Sequence, residues 1–93
     1  MKRQLLLMTI LKMKIRLRKS AIKDLKKITH KEKETIHKHI VELQNFPHIS
    51  NIKKLTKFEP AYRLRVGNYR ILFDIEDDIV IIGRILHRRE SYR

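Results

Sequence analysis

The last third of the chain consists of three apolar segments separated by two short turns, and this arrangement restricts the fold more than any other feature. Residues 61–66 and 69–76 meet at Gly67–Asn68, a pair typical of two-residue hairpin loops because both residue types tolerate a positive φ. Residues 79–86 follow a second turn at Asp77–Asp78. Strands joined by two-residue loops pair as antiparallel neighbours. The sequence therefore predicts an antiparallel meander of three strands.

The first half of the chain supplies one further strand and two helices. Apolar and basic residues alternate in Lys12–Arg18, which indicates a half-buried strand with a basic outer face. Ser20 is a candidate N-cap for a short first helix. Thr29 and Glu32 match a capping box at the start of a second helix, His30–Asn45. So short a junction between the helices predicts an antiparallel helical hairpin.

In chain order these elements read β-α-α-β-β-β. This order predicts an α+β fold in which a helical hairpin packs on one face of a four-stranded, mainly antiparallel sheet. The stretch "NIKKLTKFEP" is predicted to be a loop. Because helices cover only one face of the sheet, the other face is left to solvent or to a ligand.

The N-terminal residues 1–12 are expected to form an extension outside a single domain that spans residues 13–93. The apolar run Leu5–Leu11 is far too short to span a bilayer. It is also short for a signal peptide and lacks a small-residue cleavage site, although export stays open as an alternative. Met8 and Met13 offer alternative starts.

The charge of the chain points to a polyanionic partner. Lys and Arg number 23 against 10 acidic residues, which gives a net charge of +13. A small domain with this excess repels itself unless an anion binds, and nucleic acid is the first candidate. The chain has no cysteine. That excludes disulfides, thiolate metal sites and thiol nucleophiles, and it favours the cytoplasm.

Three arginines, Arg63, Arg65 and Arg70, cluster around the Gly67–Asn68 turn, and we call them the arginine cluster. Alternation places Arg63 and Arg65 on one side of their strand, about 7 Å apart. A two-residue loop sets Arg65 opposite Arg70, and like charges in that position destabilise a hairpin unless an anion binds between them. Guanidinium groups suit phosphate because they form bidentate hydrogen bonds and remain charged. The structural alternative is a solvated basic face.

The C-terminal "LHRRESYR" contains a second group of candidate site residues. His87 can carry a proton, Arg88 and Arg89 can bind phosphate, and Tyr92 can stack on a base. In an unbroken strand, His87 and Arg88 face opposite sides, so only one of them is expected to reach the arginine cluster. The alternative is a frayed terminus with incidental charges. Upstream lysines that could extend the phosphate contacts are Lys53, Lys54 and Lys57.

Four segments, "AIKDLKKI", "KKL", "YRLRVGNYRILFDI" and "LHRRESYR", resemble the RelE/ParE superfamily of bacterial and archaeal type II toxins. The resemblance runs from about Met13 to Tyr92. It implies a cytoplasmic toxin that cleaves mRNA on the ribosome until a RelB-like antitoxin neutralises it, with no membrane association, cofactor or metal. It also implies attack of a ribose 2′-OH on the adjacent phosphate, leaving a 2′,3′-cyclic phosphate.

By motif, the resemblance assigns an active site to this chain. The positions that match are Arg63, Arg65, Arg70, Arg88 and Tyr92, and relatives with a terminal histidine make His87 a candidate for proton transfer. Relatives often carry Lys where this chain has Arg63 and Arg65. Arginine is a poor general base, so the base is unassigned. Two alternatives stay open: a ParE-like inhibitor of DNA gyrase without nuclease chemistry, and a non-catalytic RNA-binding module.

Overall fold

A computed structural model of the protein describes residues 12–55 and 60–90. Its elements are β1 (Lys14–Leu17), α1 (Lys19–Lys26), α2 (His30–Glu42), β2 (Ile52–Lys54), β3 (Tyr62–Val66), β4 (Tyr69–Glu76) and β5 (Ile79–His87). A short 3-10 turn, Leu43–Asn45, continues α2. Within the described ranges, no helix has the length and apolar character needed to cross a bilayer.

The strands form one mostly antiparallel sheet in the order β1-β5-β4-β3-β2. The strand β1 is parallel to β5, and every other neighbouring pair is antiparallel. The hairpin register agrees with the prediction, because Val66 lies opposite Tyr69 and Arg65 lies opposite Arg70. Gly67 has a φ of +56°, as the tight turn requires. The α+β fold of a helical hairpin on one sheet is therefore confirmed.

Among residues 12–55 and 60–90 the sheet has five strands, and the prediction of four was wrong. Ile52–Lys54, which the sequence placed in a loop, pairs antiparallel with β3 at the sheet edge. Three residues are too few to show an alternating pattern, so only their pairing with a distant strand identifies them. The second helix also ends earlier than predicted, since its α-helical part stops at Glu42 and the 3-10 turn supplies the rest.

The core lies between the helices and one face of the sheet. The helical side contributes Ile36, Ile40 and Leu43, and the strands contribute Leu64, Val66, Ile71, Phe73, Val80, Ile82 and Ile85. The buried residues alternate along β3 and β4, and in β5 the alternation shifts by one residue between Ile82 and Ile85. Each fully buried side chain of this size contributes about 1.5–3 kcal/mol to folding. The intervening residues, including the arginine cluster, consequently face away from the helices.

Helix α1 covers the part of β5 that β1 does not reach. The ladder between β1 and β5 ends at Leu17 and Ile82. Beyond it, the Ser20 hydroxyl donates to the Gly83 carbonyl at 2.6 Å, and the Asp24 carboxylate accepts the Ile85 N–H at 2.9 Å. Backbone groups at an open strand edge are thus satisfied by side chains of the helix.

The predicted helix caps are partly corrected by these contacts. Arg18, not Ser20, occupies the N-cap of α1, and the Ser20 hydroxyl serves the sheet edge instead. Thr29 is the N-cap of α2 as predicted, but its hydroxyl contacts the Glu32 carboxylate at 3.3 Å rather than a backbone amide.

We expect Ser20→Ala to lower the free energy of unfolding by about 1 kcal/mol, because the hydrogen bond to Gly83 is lost while Ala slightly favours the helix. Urea unfolding at neutral pH measures this difference. Ser50→Ala is the matched control, since Ser50 is exposed and lies in no helix or strand. Equal stability of the two variants would show that the edge bond contributes nothing.

Candidate nucleic-acid interface

Two neighbouring rows of side chains cross the face of the sheet that the helices leave uncovered. One row carries Lys53, Arg63 and Leu72, and the next carries Arg65, Arg70 and Leu86. Residues opposite each other on a ladder share a face and lie about 5 Å apart. The predicted arginine cluster is therefore assembled on one surface, and Lys53 adjoins it.

The members of the arginine cluster differ in burial, which the sequence did not indicate. Arg70 is only 4% exposed, and its Nη1 donates to the carbonyls of Gly67 at 3.1 Å and Tyr69 at 3.0 Å. Arg65, directly opposite, is exposed. One guanidinium is held in place over the turn while its neighbour is free to move toward an anion.

The charge of this cluster is not neutralised within the described ranges. No carboxylate there lies within 4.0 Å of the charged groups of Arg63, Arg65 or Arg70. Like charges on adjacent strands repel one another, and a bound anion would remove that cost. The surface is therefore suited to phosphate.

His87 lies on the other side of the sheet from the arginine cluster. It pairs with Tyr69, and the two rings meet edge to face with centroids 5.3 Å apart. Its Nδ1 accepts the Arg89 N–H at 3.2 Å. In the neutral ring the proton is consequently on Nε2, so this nitrogen can donate but not accept.

The other predicted residues divide between the two faces. The Arg88 N–H donates to the Asn68 carbonyl at 2.6 Å, which brings the Arg88 backbone to the turn beside the arginine cluster. Arg89 is exposed in the turn that follows β5. Lys54 pairs with Tyr62 and so lies on the helix side, unlike Lys53. Tyr92 and Lys57 lie outside the described residues.

A cleft on the helix side of the same turn is the feature that sequence reasoning missed. It has a volume of about 370 Å³ and is lined by Lys31, Glu32, Thr35 and Ile36 of α2 and by Val66, Gly67, Asn68 and Tyr69 of the hairpin. The Tyr69 hydroxyl donates to Glu32 Oε2 at 2.9 Å. Burial and then this carboxylate raise the pKa of Tyr69 above its usual value. No local spacing links residues 37 positions apart, so only the fold reveals the pair.

The arrangement can bind and stabilise phosphate charge and can donate one proton. Across residues 12–55 and 60–90, no three His, Asp or Glu side chains converge in a way that would hold a metal ion.

Comparison with known proteins identifies a family. The family model for the ParE toxin of the type II toxin-antitoxin system parDE matches residues 15–92. Toxin RelE3 of Methanocaldococcus jannaschii is 37% identical over 84 residues, which cover 86% of this chain and 96% of that protein.

Solved structures agree with this match. A chain of the RelB-RelE antitoxin-toxin complex from Methanococcus jannaschii has a TM-score of 0.71 and 35% identity, covering 83% of this chain and 94% of that chain. A chain of the toxin-antitoxin complex RelBE2 from Mycobacterium tuberculosis has a TM-score of 0.71 and 28% identity, and the match covers 83% of this chain and 99% of that chain.

Proposed function

We propose that this chain, which belongs to the RelE/ParE superfamily and is the toxin of a type II toxin–antitoxin system, inhibits translation by cleaving mRNA. The observation that carries the proposal is the arginine cluster: guanidinium groups on one open sheet face without carboxylate partners in the described ranges. A surface of this kind attracts the phosphates of RNA and stabilises the charge that develops during cleavage.

In the proposed reaction, the ribose 2′-oxygen attacks the adjacent phosphorus, and the bond from phosphorus to the 5′-oxygen breaks. The products are a 2′,3′-cyclic phosphate and a 5′-OH. Arg65 and Arg70 stabilise the negative charge on the phosphoryl oxygens, with Arg63 and Arg88 beside them. The guanidinium groups stay protonated, so none of them accepts the proton of the 2′-OH, and the general base is unassigned.

We assign His87 the role of proton donor to the departing 5′-oxygen. The donor is the imidazolium form, because loss of a proton from the neutral ring would leave an imidazolate. Nε2, the nitrogen that the Arg89 N–H does not contact, passes its proton to the 5′-oxygen, and the ring becomes neutral. The departing 5′-oxygen is bonded to the phosphate that the arginine cluster holds, and His87 lies on the Tyr69 side of the strand. This role therefore requires the phosphate to bind at the end of the hairpin, beside the Gly67–Asn68 turn, where both faces of the sheet are within reach. Tyr92 keeps the stacking role that the motif implies.

The partners we propose follow from the relatives and from charge. The solved structures similar to this chain include RelB-RelE complexes, and we propose a RelB-like antitoxin as the cognate partner. The ribosome and its mRNA are the proposed targets, and Lys53, Lys54, Lys57 and Arg89 add phosphate contacts. The excess of positive charge, +13, fits both an acidic antitoxin and RNA.

Induction in growing cells tests the proposal. Expression of the unmodified chain should produce new RNA ends that carry a 5′-OH, mapped by primer extension. Arg65→Ala should reduce their yield about 10²-fold, and because Arg65 is exposed this change leaves the fold intact. Arg16→Ala is the control, since Arg16 is an exposed arginine on the edge strand β1.

The same experiment separates the alternatives. Inhibition of DNA gyrase is the second candidate function, because the matching family model is named for ParE. Intact mRNA together with broken DNA would replace the nuclease proposal with that function. If neither the unmodified chain nor any variant slows growth, a non-catalytic RNA-binding module would be favoured instead.

A further inference from the structure

We infer that the cleft between α2 and the β3–β4 turn binds one base of the substrate RNA and selects bases that carry an exocyclic amino group. The inference rests on the proposed function, because it places this base next to the phosphate held by the arginine cluster. It concerns the helix side of the hairpin, where neither the motifs nor the charge predicted a site.

The cleft has the size and lining that a planar base requires. Its volume of about 370 Å³ lies within the range of small-ligand pockets. Ile36 and Val66, which are 1% and 4% exposed, form the apolar floor of the cleft. Polar groups of Glu32, Thr35 and Asn68 line the remainder. An apolar floor with a few polar groups is typical of a site that buries a ring and reads its edge.

The Glu32 carboxylate is oriented by two hydroxyl groups. Tyr69 and Thr29 both donate to Oε2, at 2.9 and 3.3 Å. No donor among the described residues contacts Oε1. A carboxylate repels the phosphates of RNA, so at an RNA surface it is favourable only where it accepts a hydrogen bond from a base. Glu32 Oε1 can therefore accept a hydrogen bond from the amino group of a bound base.

The cleft and the arginine cluster share the Gly67–Asn68 turn. The Gly67 carbonyl accepts from Arg70 Nη1 on the outer face, and Gly67 also lines the cleft on the helix face. Tyr69 in the cleft is the chain neighbour of Arg70, and neighbouring Cα atoms are about 3.8 Å apart. An RNA strand that bends around the end of the hairpin thus passes from the arginine cluster to the cleft. Lys31 at the cleft is available to the next phosphate.

This geometry predicts the order of preference among bases. Cytosine, adenine and guanine each present an amino group that can donate to Glu32, as cytosine N4 does to acidic side chains in other complexes. Uracil presents the O4 carbonyl in place of that amino group, and its N3–H donor lies between two carbonyl oxygens that repel a carboxylate. The cleft should therefore discriminate most strongly against uracil.

Binding of uncleavable RNA tests the inference without requiring catalysis. Trinucleotides with 2′-O-methyl groups, differing only in a central cytosine or uracil, are titrated into the 15N-labelled full chain. We expect the cytosine form to shift the amides of Glu32, Thr35 and Tyr69 and to bind about tenfold more tightly. Glu32→Gln should reduce this preference to about twofold or less. Glu34→Gln is the matched control, because Glu34 lies on the same helix, contacts His30 and does not line this cleft.

Equal affinity for the two trinucleotides, or an equal loss of affinity for both in Glu32→Gln, would overturn the inference. So would shifts at the cleft caused by an antitoxin peptide but by neither trinucleotide. If the preference for cytosine appears while the unmodified chain cleaves no mRNA in cells, the base site stands and the nuclease proposal fails. If the unmodified chain cleaves mRNA but binds both trinucleotides equally, the nuclease proposal stands and the base site fails.

Discussion

Arg70→Gln is expected to lower the rate of RNA cleavage about 10²- to 10³-fold, the loss typical of removing one group that stabilises transition-state charge. Arg70 is the member of the arginine cluster held in one position, through its bonds to Gly67 and Tyr69. A group already oriented needs no reorganisation when charge develops on the phosphate. Gln keeps polar character but lacks the charge and the bidentate fork.

The same substitution should cost about 1–3 kcal/mol of folding free energy, because two carbonyl groups of the turn lose a charged donor. Cleavage of a defined RNA by the purified chain, measured where the variant is fully folded, separates the two effects. Arg70→Lys keeps the charge but lacks the bidentate guanidinium, so its cleavage rate should fall between the rates of Arg70→Gln and the unmodified chain. A rate for Arg70→Gln within twofold of the unmodified chain would exclude Arg70 from the reaction.

Asp24→Ala is expected to produce the largest loss of stability, about 3 kcal/mol, although Asp24 is remote from the chemistry. The carboxylate is 9% exposed and accepts from Arg84 Nε at 2.8 Å, from the second Arg84 nitrogen at 3.2 Å and from the Ile85 N–H at 2.9 Å. Without it, a buried backbone donor at the edge of β5 has no partner. The Arg84 side chain is 47% exposed, so most of the loss comes from the unpaired amide rather than from the ion pair.

The pH dependence of stability checks the same contact. Burial by itself raises the pKa of Asp24, but hydrogen bonds from Arg84 and Ile85, with the charges of Arg84 and Lys27, outweigh it and lower the pKa below 3.8. A carboxyl group with a lowered folded-state pKa stabilises the fold above its unfolded pKa, and this contribution is lost as the pH falls through the folded value.

Urea unfolding between pH 3 and pH 7 should therefore show a steeper loss below about pH 4 in the unmodified chain than in Asp24→Asn. Asp78→Asn is the control, because Asp78 is an exposed carboxylate whose contact with Lys14 is 3.7 Å long. If Asp24→Asn matches the unmodified chain at every pH, the carboxylate does not hold α1 against β5.

Local chemistry determined the meander and its register. Alternation assigned the faces of β3 and β4, and the Gly67–Asn68 turn set Arg65 opposite Arg70. All of these follow from period-two side-chain direction and from the geometry of a two-residue loop, which depend only on neighbouring residues.

The tertiary structure alone decided what surrounds those residues. It made Ile52–Lys54 a strand, buried Arg70 against the turn carbonyls, joined Glu32 to Tyr69 and directed Asp24 to the edge of β5. Each of these depends on a partner or on neighbours that the fold supplies, and no local periodicity records them. The residue types that bind phosphate could thus be read from the sequence, whereas their burial and their hydrogen-bond partners became apparent only in the folded chain.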